Sequence, residues 1–582
     1  MTGASRTIPA TGSTSLATFT IHVDGSALAR SYRIVSIAVN HELNRISSAR
    51  ITLLDGSAHE EDFPVSNEET FAPGKELEIL AGFHSDEQSI YKGIIAKHSL
   101  RIRKSSSPLL IIECKDATSK LTVTKKNKYF FDKKDSEIFE EIIDAAGLSH
   151  DVEATDVMHK QLVQYYSTDW DFIVTRAEAN GKYCFTDAGT LLIKAPDISQ
   201  EAKFDVLFGS SIIEFDAEMD ARYQYAGIDS NSWSSADQDL KTAQSADPGI
   251  EEEGNISSSD LSTIYNASAF VLQHGAGLDE NQLQAWADAQ FLKSRLAKIR
   301  GRVKFRGYDA IKPGEMITLN GVGDKFNGKV FVSGVRHEIQ NGIWETDVQF
   351  GLSPESFAKQ FDINQTPAQG ILPAIKGMHI GIVTDLEDPE NEFRVRVKIP
   401  SISMDEDGVW SRIATLDAGN TRGTFFRPEI NDEVVVGFFD NDPRYPVIIG
   451  MLNSSAKAAG ISPSNDNHEK GYISRSGMKF IFNDDAKSIQ LETPGGKKII
   501  VDEQNAIISM EDENGNILKL EAAGITMESA GNITLTAGGT LTLGAAQLAI
   551  SGDGSVKMEA SGSLEMTSSG NTTIKGSLVM IN

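Results

Sequence analysis

Gly531, Gly539, Gly554, Gly562 and Gly570 punctuate the end of the chain at spacings of about eight residues or near twice that. A fixed short period of this kind signals a β-solenoid or a related stacked architecture. Between the glycines run short alternating segments such as ITL at 533–535 and LTL at 541–543. Successive strand side chains point to opposite faces, so each segment sets its aliphatic residues on one face. That face is narrow, and one chain would enclose only a thin core. Three chains winding together enclose one from short strands, each supplying one side of a triangular prism without free lateral edges. At roughly 4.8 Å per stacked strand, the segment would reach on the order of 60 Å. A single-chain solenoid or a sandwich is the plainer alternative, but the octads are too short and regular for a sandwich.

Composition narrows the partners. A chain of 582 residues suggests about four domains. Its net charge of −27 argues against nucleic acid or an anionic membrane surface as the main partner. Identical copies would repel at long range, so any oligomer needs extensive short-range contact. Cys114 and Cys184 are too few for a disulfide scaffold and have no metal-ligand spacing, so both are expected as buried thiols. The first residues lack the apolar core of a secretory signal, and no stretch is long enough to span a bilayer. The chain is therefore expected to be made in the cytoplasm and to leave by another route.

Residues 49–55, 76–81 and 109–114 read as strands. Residues 136–146 read as a helix with Ile138, Phe139, Ile142 and Ile143 on one buried face. A second helix is expected over 170–180, capped by Asp169 and stopped at Gly181, and a third over 280–299. Residues 232–260 are polar and acidic, with little to bury, and are expected as a long loop or disordered insert. Strands resume at 316–320, 330–333 and 344–350.

The densest motif lies between Gly381 and Asn453. It contains Asp388-Pro389, RVRVKIP at 394–400, Trp410 and Arg412, Ala418-Gly419, PEINDEVVV at 428–436, Asp442-Pro443 and PVIIG at 446–450. This resembles the VgrG family, the spike proteins of type VI secretion, phage tails and related contractile injection systems. Phe393 and Asn431 stand where that pattern has glycine; Asn tolerates the left-handed conformation of such a turn. Residues 167–185 and 312–337 are similar to hub segments of the same family. The resemblance implies a mainly β chain with some α. Residues 1–365 would form a hub with tube-like barrels, 366–376 a linker and 377–453 an OB-fold barrel. Residues 454–470 would be a second linker and 471–582 an intertwined triple-stranded β-helix needle. It further implies a homotrimeric spike adapting a six-fold inner tube to a three-fold membrane-puncturing needle. Its partners would be the inner tube protein, baseplate proteins, a PAAR-type tip protein bound by Leu578, Val579, Met580, Ile581 and Asn582, and effector cargo. The target membrane would be touched only transiently, and the particle would act outside the cell or in the target envelope. A phage or prophage baseplate spike has the same build. A trimeric carbohydrate-binding tail fibre would need exposed aromatics along the needle, and none follows Phe482.

No catalysis, cofactor or metal is expected. GDKFNGK at 323–329 matches most of a phosphate-binding loop, but Val330 replaces the Mg²⁺-holding Ser or Thr and a strand follows, so a hairpin turn is expected. Arg394, Arg396, Lys398 and Arg412 could line an OB groove for single-stranded nucleic acid. Acidic neighbours favour interdomain or intersubunit ion pairs instead. No HExxH, G-x-S-x-G or Cys/His pairing is present. The interval 452–471 is too short for an enzyme and the sequence ends with the repeat, so both places where relatives carry effector domains are expected to be empty.

Overall fold

Period-two alternation of apolar residues builds the sheet that dominates the first of two compact units, Met1–Ala374 and Ile375–Asn582. The computed structural model describes residues 16–265 and 269–581. In the first unit, strands Ala17–Val23, Ile34–Glu42, Ser48–Leu54, Glu76–Phe83, Asp86–Arg103 and Ser106–Lys115 pair antiparallel around one core of Ile37, Ile51, Leu77, Ile79 and Leu110. Strands Glu214–Met219, Ile299–Arg306, Gly328–Gln340 and Ile343–Phe350 enclose a second core of Val303, Phe305, Val332, Val348 and Phe350. The two lobes join in one sheet where Gly328–Gln340 pairs with Ile34–Glu42.

Two helices build a third core beside these lobes. Helix α1, Asp135–Ala145, buries Ile138, Phe139, Ile142 and Ile143, as their spacing dictates. Helix α2, Asp169–Ala179, starts one residue earlier than expected. Its N-cap is Thr168, whose hydroxyl accepts from the Asp171 amide at 3.0 Å. Asp169 is therefore not the cap; its carboxylate accepts instead from Lys126 and Gln164.

The acidic segment 232–260 is not a disordered insert. Strands Ile228–Ser234 and Asp239–Gln244 form a hairpin, and Ser258–Ile264 forms helix α3. Order here comes mainly from satisfied polar groups, with only Ala243 of its apolar residues buried and Ile250 packed against a core, which is why hydropathy misses it. Ser230 donates to the Leu283 carbonyl at 2.9 Å, near the start of helix α4, Glu280–Leu296. Lys298 is fully buried and donates to a Glu252 carboxylate oxygen and the Glu253 carbonyl, both at 2.7 Å. One lysine thus ties down the acidic run.

In the second unit, strands His379–Asp385, Val395–Lys398, Val409–Ile413, Pro446–Met451 and Glu433–Phe438 close a five-stranded barrel. Its core is Val383, Val395, Val397, Val434, Val436 and Ile448. Asn431 has φ of 72° and Phe393 φ of 58°, so both positions hold the left-handed conformation that glycine adopts freely. For Phe393, which is exposed, this is strained. Phe393→Gly is expected to stabilise the barrel by about 1 kcal/mol, read as a raised midpoint of its urea transition; a lowered midpoint refutes the strain.

After the barrel, seven strands from Glu469–Ile473 to Gly524–Glu528 form an antiparallel meander in which each pairs only with its sequence neighbours. This half of the repeat therefore pairs within its own chain. The turns are long enough to reverse direction, as at Asp502, whose carboxylate accepts from the Asn505 amide at 2.9 Å. Among the described residues, 529–581 contain no assigned strand.

Candidate functional site

The meander carries an apolar ladder. On each strand from Lys479–Asn483 onward, two residues spaced by one point to the same face. Their register stacks them in two columns. Phe480, Leu491, Ile499, Met510, Leu518 and Met527 form one; Phe482, Ile489, Val501, Ile508, Leu520 and Ile525 form the other. Most of these side chains stay two-fifths or more exposed in the single chain. The opposite face is mixed and laced by ion pairs such as Lys479 with Glu492 at 3.4 Å and Lys519 with Glu521 at 2.6 Å. The same paired spacing continues at Ile533 and Leu535, Leu541 and Leu543, Leu548 and Ile550, and Val556 and Met558. The needle was expected from 471, but its glycine octads mark only the later part; upstream the aliphatic pair recurs at nine or ten residues as far as Leu518.

Leu578, Met580 and Ile581 are each more than three-quarters exposed, and Val579 is about half exposed. Asn582 lies outside the described residues.

The other candidates resolve locally. Residues 323–329 sit in the hairpin joining Met316–Asn320 to Gly328–Gln340, with the Val322 amide donating to Asn327 Oδ1 at 3.0 Å and no helix following. In the barrel, Arg394 grips Asp388 through two bonds of 2.8 and 2.9 Å and reaches Glu390 at 2.8 Å. Arg396 pairs with Asp407 at 3.1 Å. These pairs close inside the module rather than between domains or subunits, because the acidic loops of the module itself lie within reach. The Arg394 bond holds the Asp388 carboxyl well below the usual carboxylate range.

One cluster escaped sequence reasoning. Asp135, fully buried, accepts from Arg176 Nε and Nη2 at 2.8 Å, from His159 Nε2 at 2.8 Å and from Asn180 at 2.9 Å. Gln282 lies 2.9 Å from His159 Nδ1. Burial alone would raise the Asp135 carboxyl, but the His159 and Arg176 bonds outweigh it and hold it well below the ordinary value. The carboxylate's lone pairs are occupied by these bonds, so the cluster ties the strand Met158–Thr168 and helices α1, α2 and α4 together. Both cysteines are buried, and burial pushes Cys114 up to about 12. Among the described residues no group of His, Cys, Asp or Glu is placed to hold a metal ion, and no helix is long and apolar enough to cross a membrane.

A mainly β sheet, a closed five-stranded barrel and a laddered meander follow one another along the chain, and its curated relatives are VgrG spike proteins. The type VI secretion system/phage-baseplate injector OB domain matches residues 379–452. The Alg8 N-terminal domain family matches residues 13–341, more than half of the chain, and the chain belongs to that family. The chain is 22% identical over 476 residues to the type VI secretion system spike protein VgrG1b of Pseudomonas aeruginosa. That match covers 76% of this chain and spans 62% of the relative's length. Among solved structures, the 43 kDa tail protein of prophage MuSo2 from Shewanella oneidensis is similar at 9% identity and a TM-score of 0.44, over 58% of this chain and 98% of that one. A type VI secretion component of Escherichia coli is similar at 12% identity and a TM-score of 0.36, over 74% and 99%.

Proposed function

We propose that three copies of this chain form the central spike of a contractile injection system, joining an inner tube to a needle that breaches the target envelope. The observation that carries this reading is the pair of aliphatic columns with no covering layer in their own chain. A single sheet with one bare apolar face is not stable in water. Three such faces turned inward cover one another and leave the ion-paired faces outside. The hub then docks the inner tube and baseplate proteins. The exposed aliphatic end at Leu578, Val579, Met580 and Ile581, with Asn582, receives a PAAR-type tip, and effector cargo travels with the assembly. The spike acts mechanically rather than as an enzyme.

Light scattering on the full chain tests the assembly. Three times the 63.2 kDa chain mass is expected; a folded monomer defeats the three-copy spike. A chain trimmed before Leu578 should keep the trimer and lose binding to its tip protein, and retained binding rules out these residues as the tip site.

A further inference from the structure

Strands Lys125–Lys134 and Met158–Thr168 form a two-stranded antiparallel ribbon of their own in the first unit. Tyr129, Phe131 and Tyr165 are each more than half exposed on it, and Met158 and Val163 nearly half. Val163 lies opposite Tyr129, and the Tyr129 and Phe131 rings stack at 6.2 Å between centroids. Tyr166, at a slip in the ribbon's register, holds a positive φ of 41°. A bulky residue adopts that conformation only where the surroundings impose it. Clustered exposed aromatics of this kind mark an interaction surface.

Charge identifies the partner. Residues 125–134 carry five lysines and one aspartate, a net +4, so the rest of the chain carries −31 against the total of −27. Lys126 pairs with Asp169, and Lys128 and Lys133 share Glu141. Lys125 lies 5.0 Å from the centre of the Tyr166 ring. Among the described residues, no ion pair joins Lys125 or Lys134 to an acid. We propose that this cationic, aromatic ribbon docks on an acidic face of a neighbouring copy of the same chain. A face-to-itself contact would set lysines against lysines, so the contact joins two different faces. Contacts of that type close into a ring when the rotation between copies is one-third of a turn, and otherwise run on as a filament. The inference rests on the three-copy reading above and names one of the contacts that hold the hub together.

The test replaces Phe131 with p-benzoylphenylalanine in the full chain, confirms the trimer by light scattering, and irradiates it. Bands of two and three chains are expected on a denaturing gel, with adducts mapping to carboxylate-rich segments of the first unit. Adding Lys125→Glu, at a position that shares a strand face with Tyr129 and Phe131, should lower that yield by about fivefold or more, because a steering and pairing charge is reversed. A trimer that gives adducts only within one chain, or none, overturns the ribbon contact and leaves the trimer standing. A monomer before irradiation overturns the three-copy reading itself.

Discussion

Asp135→Ala is expected to cost the first unit about 3–5 kcal/mol, because it strips the partner from a guanidinium and an imidazole that are mostly or wholly removed from water. Asp135 is fully buried and His159 nearly so, and Arg176 is about three-quarters buried. A urea titration followed by tryptophan fluorescence, with Trp170 and Trp286 in α2 and α4 as reporters, should show the first unit's midpoint falling while the barrel's stays. A change below about 0.5 kcal/mol, the size of an ordinary surface substitution, would mean that the cluster does not tie these helices together. The pH dependence carries the same signature. The folded carboxyl lies below its unfolded value, so its stabilisation is present above the ordinary carboxylate pKa, about 3.9, and is lost as pH falls below it. Asp135→Asn should lack that acid-side loss.

Ile499→Asp and Val501→Asp should each abolish the proposed trimer and return the mass of a single chain. Each places a carboxylate in a column meant to be dry, and does so in three copies at once. Thr526→Asp, on the opposite face and directly across from Lys519, should leave the assembly intact. A trimer that survives Val501→Asp would show that the columns face solvent and that the copies meet elsewhere.

The features that were legible in the chain are those written in local period. The helical spacing of Ile138, Phe139, Ile142 and Ile143 appears directly as a buried face, while the barrel was legible through the resemblance of its motif. The left-handed turn at Asn431 followed from its standing where the resembled pattern has glycine, a conformation Asn tolerates. What stayed hidden depends on partners far apart in sequence. Lys298 orders the acidic segment through acceptors at Glu252 and Glu253, and neither end carries a recognisable motif. The Asp135 cluster draws on a strand and two helices besides its own. The barrel arginines were recognised as paired, but only geometry shows that their acids lie in the same module.

The strand order of the meander also fixes how it answers force. Antiparallel hydrogen bonds run perpendicular to the strands, so here they line up along the direction in which the strands are stacked. A push along that line presses every bond and every aliphatic contact closed together. A pull on the last strand meets only one neighbour at a time, because each strand pairs solely with those next to it in sequence. The sheet is thus stiff under compression along its stack and opens strand by strand under tension, a directionality set by connectivity rather than by any single bond.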